Sequence, residues 1–514
     1  MEGILPSGET MTGIVQGDIV LTGEQVICGR CHRRSGLGST EGQEVVPAVT
    51  GDILYQPLRL PTSKPPLAPE LRPAYTDASL KRAIRDGISA DGTTFSPLMP
   101  RYPLSDEQLD LLSAYLKSLT TAPHPGVDDR DIHFATIVSD TIDGATREAF
   151  LNVLEAYFKQ KNVETRNESQ RAAHAPWHKA WLFEPYRKWV LHLWELEGPP
   201  ESWPEQLRLR YQEQPVFAVI SGLATGSWRP MHDFCKANKV PCLFPNTDLP
   251  VVNEADFYSV YFTRGMALEA DTVVQHLADD GLISAPVVQI YAAGDARARA
   301  AAARLRDQVD RRGGRVTDFM FSGASALTHD FWQEVMNEAA GGVAVLWLGS
   351  GDLVDFWAQL ASTDGGGPQR IYLSTTLFGT EPQPIPPESR KQVYLVHTYE
   401  LPSRLPRLLA RSSGWLRSQR IRSPDAQQIQ ANTFFGLKML GKGLQQMRGF
   451  FNRDYLLERI EHMTENASYR SVFPGVSLAP GQRFVSRGAY IAQFQPDGAG
   501  DLVAVTDWLV PGSK

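Results

Sequence analysis

Residues 217–250 read "FAVISGLATGSWRPMHDFCKANKVPCLFPNTDLP". Four apolar residues, Phe217 to Ile220, stop at Ser221-Gly222, as a buried strand does before a turn. A helix follows that ends near Lys239, and a second strand covers Val240 to Pro245. Strand, Gly/Thr/Ser loop, helix and strand together make one α/β unit. In open α/β sheets ligands bind beyond the strand C-termini. That rule singles out the loop 221–227. Gly222 permits close backbone approach, Thr225 and Ser227 offer hydroxyls, and the helix N-terminus favours an anion such as a carboxylate. Asn246 and Thr247, just past the next strand, are second candidates. An ordinary Gly/Ser turn is the competing reading for each.

The alternation continues in both directions. "IHFATIVSD" at 132–140 reads as a buried strand before a helical run at 144–162. "APVVQIY" at 285–291 precedes an Arg/Ala-rich helix, whose arginines read as a solvated face. "GGVAVLWLG" precedes "DLVDFWAQLAS", and "RIYLSTTL" follows. Strands alternating with helices predict a doubly wound, parallel α/β architecture. Tyr291 and Ser350, the latter in the loop 349–352, are candidates from a facing lobe. No G-x-G-x-x-G or P-loop motif opens any of these helices, so nucleotide binding has no motif behind it. The formal net charge of −7 gives no general attraction to nucleic acid. No apolar run approaches the roughly 18 residues of a membrane span.

The first 120 residues have a different texture. "VICGRCHRR", 26–34, holds two of the four cysteines of the 514-residue chain. A C-x-x-C pair is a redox dithiol, half a zinc site or a covalent haem anchor. Zinc wants four ligands, and Cys235 and Cys242 supply no second C-x-x-C. A redox dithiol follows a strand at a helix start, and no such pattern precedes Cys28. Further on, Leu80 and Ile84 mark a short helix. Ser105 and Gln108 form a capping box before the stripe Leu109, Leu112, Leu116, Leu119. Met99 lies in the loop ahead of that helix.

Residues 20–120 resemble a single-haem class I cytochrome c domain, on Cys28-x-x-Cys31-His32, the Met99-Pro100-Arg101-Tyr102 loop and the closing helix "LSDEQLDLLSAYLKSL". The resemblance implies an all-α domain with one haem c bonded to Cys28 and Cys31. His32 and Met99 would be its axial ligands, and the Pro47 carbonyl would orient His32. It also implies a periplasmic protein whose signal peptide is absent from this numbering.

From about 131 to 514 the chain resembles the type I periplasmic solute-binding proteins, branched-chain amino-acid branch. The segments 217–250, "YSVYFTRG" and "GDLVAVTDWLVP" carry the likeness. It implies two α/β lobes that close on a small molecule by a hinge motion, with the carboxylate received by the loop 221–227. No acidic residue can be placed to grip an amino group.

In an oxidising compartment Cys235 and Cys242 can close a disulfide if their Cβ vectors converge; buried thiols are the alternative. Trp177, Trp181, Trp189, Trp194 and Trp203 crowd the stretch 174–203. They read as a helical extension packed on its lobe, or as an interface for a redox protein.

The expected plan is thus multidomain: a cytochrome c domain at 1–121, a linker at 122–131 and a two-lobed binding domain at 132–514. The expected function is one-electron transfer joined to capture of a small-molecule ligand or docking of a redox partner protein, such as a periplasmic dehydrogenase or another cytochrome. A haem oxidoreductase and a ligand-responsive redox sensor are the alternatives. No paired carboxylates or nucleophile–base pair argue for catalysis.

Overall fold

In the computed structural model the buried strand read at 132–140 runs Asp131–Ser139 and anchors a five-stranded parallel sheet. The structure describes residues 3–41, 44–59, 71–174, 187–362, 366–381, 385–447, 449–466, 471–479, 481–495 and 501–512. The chain forms two compact units, Met1–His124 with Gln446–Arg459, and Pro125–Gln445 with Ile460–Lys514.

The first unit includes, among its described residues, the helices Cys28–His32, Gly51–Leu54, Asp77–Asp86 and Asp106–Ser118, together with the start of Arg453–Asn466. Leu80, Ile84 and Leu109 are buried in its core with Val26, Tyr75 and Tyr102, and Leu112 and Leu116 pack against them. Both halves of the Ser105/Gln108 box form, at 3.3 and 2.9 Å; such a cap contributes about 1 kcal/mol. The all-α expectation needs correction. Three short antiparallel pairs are present: Thr12–Val15 with Ile19–Thr22, Ser39–Glu41 with Glu44–Val46, and Leu58–Arg59 with Leu71–Arg72. They are too short to raise a period-2 signal above the Pro/Gly-rich background.

The second unit holds two sheets. The first lobe orders its parallel strands Ser259–Val260, Cys242–Leu243, Ala218–Ile220, Asp131–Ser139, Lys188–Leu196. The second lobe orders Val316–Phe321, Val287–Ala292, Val343–Trp347, Arg370–Ser374, Val393–His397, Tyr490–Phe494, Leu502–Ala504. There the first five strands are parallel and the last two antiparallel. This is the α/β architecture the texture predicts, in the two lobes the resemblance implies.

Three expectations shift. The linker at 122–131 is shorter than read, because Gly126 (φ +91°) passes against the backbone of Val216 and Phe217. Its carbonyl accepts from His133 N at 2.8 Å, so residues 126–131 are built into the second unit. Within the Trp-rich stretch Trp189 and Trp194 lie on a strand, Lys188–Leu196, and Trp203 opens the helix Trp203–Glu213. Trp189 packs on Phe134 and Phe158, Trp194 on Phe234, and Trp203 is buried, so these three are core; Trp177 and Trp181 lie outside the described residues. On Ala296–Asp310 the arginines are not simply solvated: Arg304 clasps the buried Asp271 through both Nε and Nη2, and Arg306 pairs with Asp318.

Candidate functional site

Two sites emerge, one in each unit. In the second unit a cavity of about 690 Å³ opens between the lobes, within the range usual for small-molecule sites. Its first wall is the loop after Ala218–Ile220. Gly222 adopts φ +129°, and a Cβ there would lie 2.7 Å from the Trp228 ring. Glycine is therefore required beneath the loop, though Gly222 does not line the cavity. Thr225, Asn246 and Thr247 do line it.

The other sequence candidates fall elsewhere. Ser227 Oγ accepts from Arg229 N at 3.3 Å as part of the turn into the helix. Tyr291 donates to Asp318 on the neighbouring strand at 3.2 Å, so it points across the sheet rather than past its end. Ser350 begins a 3-10 turn, Ser350–Leu353, and is not among the lining residues. Cys235 and Cys242 are joined as a disulfide with Cα atoms 6.2 Å apart, tying the helix Arg229–Asn238 to the next strand.

Three segments cross between the lobes, at 261–265, 397–401 and 472–489. Backbone hydrogen bonds lace them together: Glu400 N to Val472 O at 2.9 Å, Val485 N to Tyr261 O at 3.1 Å, and Ser486 N to Phe262 O at 2.8 Å. Each contributes one aromatic to the cleft. Phe262 stacks on Phe473 with centroids 5.5 Å apart, and Tyr399 tilts against Phe473 at 5.0 Å.

The polar groups of the second lobe went unseen in the sequence. Glu269, on Met266–Asp279, is 1% exposed and accepts from the Thr376 hydroxyl. Burial pushes its carboxyl up to about 7. Asp295 caps Ala296–Asp310 through Arg297 N and Ala298 N. Arg297 reaches Asp295 at 3.3 Å and Asp248 at 3.5 Å. Burial raises the Asp248 carboxyl above its ordinary range. Among the described lining residues, three carboxylates face one guanidinium. Glu269 Oε2, Asn246 Oδ1 and Asn432 Oδ1 are buried there without a hydrogen-bond partner. A strand followed by Gly294-Asp295 at a helix start was the one available signal for Asp295. Glu269 sits where a helix pattern predicts core, which hid it.

In the first unit Cys28, Cys31 and His32 share one helical turn. His32 Nδ1 lies 2.9 Å from the Pro47 carbonyl, which selects the Nδ1–H tautomer and leaves the Nε2 lone pair outward. Gly38 permits this approach: with φ +78°, a Cβ there would strike Val46 O at 2.2 Å and Pro47 C at 2.9 Å. Met99 is half-buried in a clamped loop. Arg101 Nη1 donates to Met99 O at 2.6 Å, and Arg101 exchanges backbone bonds with Ile14 at 2.8 and 2.9 Å.

A zinc site needs its ligand atoms to converge. Among the described residues the only group of three His, Cys, Asp or Glu within 4.8 Å is Asp128, Asp131 and His133. Among the described residues no such group includes Cys28, Cys31 or His32, and one histidine held through Nδ1 beside two cysteines one turn apart suits a covalent haem.

The loop after His32 is held from far along the chain. Glu458 accepts from Ser35 N at 2.8 Å and Ser35 Oγ at 2.5 Å, and Asp454 pairs with Arg34 at 3.0 Å. Truncating Glu458 to Ala strands a buried amide and should destabilise the first unit by about 1–3 kcal/mol. Calorimetric melting of the variant checks this; an unchanged first-unit transition refutes it.

A family model described as periplasmic binding protein matches residues 200–499. Among solved structures, a fatty acid ABC transporter substrate-binding protein from Thermomonospora curvata is similar at 16% identity and a TM-score of 0.50, over 76% of this chain and 95% of its own. A solute-binding protein of an ABC transporter from Rhodopseudomonas palustris BisB5, in complex with 3,4-dihydroxy benzoic acid, is 14% identical with a TM-score of 0.50, over 75% of this chain and 98% of its own. No curated protein matches the chain. Neighbours this distant establish the fold alone.

Proposed function

This chain belongs to the periplasmic binding protein family, and from that premise we propose a periplasmic binding protein that also carries one covalent haem c. The cleft captures a small molecule, and the first unit exchanges single electrons with a redox partner protein, a dehydrogenase or another cytochrome. The two-lobed unit with three laced crossings supports capture by hinge closure. Among the described residues no helix is long and apolar enough to cross a membrane.

The observation that carries the redox half is the His32 Nδ1 to Pro47 O contact behind Cys28-x-x-Cys31. Cys28 and Cys31 would hold the haem through thioethers. His32 would ligate through Nε2, with its ring fixed by Pro47. Met99 would supply a thioether from the loop that Arg101 clamps. When bound, haem c supplies a reversible one-electron couple. Tyr102, donating to Val26 O at 2.8 Å, braces the backbone just ahead of Cys28.

Expression with a c-type haem attachment system tests this. The denatured full-length protein should retain one haem per chain on a gel, and Cys28→Ser with Cys31→Ser should remove it. A colourless wild-type protein under those conditions refutes the haem reading without touching the binding half.

A further inference from the structure

The ligand of the cleft is specified by which polar atoms remain unused. The family-like seat for a carboxylate, the loop 221–227, is already engaged within the protein. Thr225 Oγ1 bonds Thr141 Oγ1 at 2.6 Å, and Thr225 N donates to Ser139 Oγ at 3.4 Å. The one lining guanidinium, Arg297, is shared between Asp248 and Asp295. An incoming anion would meet three carboxylates and compete with two of them for that arginine.

The unsatisfied groups are acceptors. Glu269 Oε2 and Asn432 Oδ1 belong to side chains 1% and 6% exposed; neither atom makes a hydrogen bond of good geometry, although the Ser374 hydroxyl stands beside the Glu269 carboxyl. Asn246 lines the cavity and donates its Nδ2 to Ser221 Oγ at 3.0 Å and Thr433 Oγ1 at 3.4 Å, which leaves its Oδ1 without a partner. Buried acceptors left unmade are costly, so the fitting ligand brings donors. Beside them runs the Phe262–Phe473–Tyr399 row, whose ring faces attract a cation.

We infer that the cleft takes a protonated organic amine without a carboxylate, its ammonium at Glu269 and Asn432 and its apolar body on the aromatic row. This rests on the cleft being the solute site. The raised Glu269 carboxyl is consistent with it, since a bound ammonium would return that group to its ionised form.

Calorimetry on the full chain with matched probes tests the assignment: 2-phenylethylamine and hexylamine against 2-phenylethanol, 3-phenylpropionate and phenylalanine. The amines should bind at least tenfold tighter than the other three. Glu269→Gln, which keeps the shape and removes the charge, should weaken them on the order of 10- to 100-fold. Preference for the alcohol, the acid or the amino acid overturns the amine assignment and leaves solute capture standing. So does amine binding indifferent to Glu269→Gln. Silence from all five probes, with small-angle scattering unchanged by any of them, overturns the assignment and counts against solute capture as well.

Discussion

With the proposed haem on Cys28 and Cys31, replacing Met99 by Ala should leave it covalently attached but lower its reduction potential by on the order of 0.1–0.3 V, a fraction of the ~0.8 V that axial ligands span. Cys28, Cys31 and His32 are untouched by the change. What is lost is a thioether, a ligand that favours the reduced iron. The loop itself should stay in place, because Arg101 holds it through the Met99 and Phe95 carbonyls at 2.6 and 3.1 Å rather than through the methionine side chain. The variant should therefore bind carbon monoxide or cyanide where the wild type does not. A low-spin six-coordinate spectrum with an unchanged potential would refute Met99 as ligand, and His124 would be tested next.

The second large effect concerns Glu269 and pH. Its carboxyl stands at about 7 in the folded chain against an ordinary 4.5, because burial penalises the anion. The folded state thus holds this proton over a range where the unfolded chain has released it. Stability from this group is complete below 4.5 and is lost as pH rises to about 7, by about 3 kcal/mol in all. Glu269→Gln has no such proton to lose. Measured by chemical denaturation, the wild type should lose about 3 kcal/mol relative to the variant between pH 4.5 and pH 8. Parallel curves for the two proteins would refute the assignment.

Much of the second unit's architecture was legible because most of its strands are continuous apolar runs separated by helices; Lys188–Leu196, with His192 and Glu195 inside it, was not. Nor was the termination of the second lobe's sheet: Tyr490–Phe494 and Leu502–Ala504 return antiparallel after three helices, and no local pattern announces such a return. In the cleft, Thr225, Asn246 and Thr247 follow from one rule about strand ends. Glu269 does not, because helical periodicity counts it as interior and says nothing of what it accepts. Tyr291 was misjudged for the converse reason, a strand-end position whose side chain leans to a neighbouring strand. At the other site, Cys28, Cys31, His32 and Pro47 are close enough in sequence to read together, and Met99 enters through the resemblance alone. Glu458 is not, since its partner Ser35 lies 423 residues away.

That separation has a consequence for biogenesis. Glu458 leaves the ribosome 423 residues after Ser35. Domains otherwise tend to fold in order as they emerge. Here the segment that steadies the loop behind His32 does not exist while that loop is first made. Any maturation enzyme that modifies Cys28 and Cys31 during export would meet an open, unbraced N-terminal region. The finished architecture would then lock behind it. Expressing residues 1–124 alone removes the brace for good, so a fragment that accepts its cofactor would hold it in a looser pocket than the whole protein does.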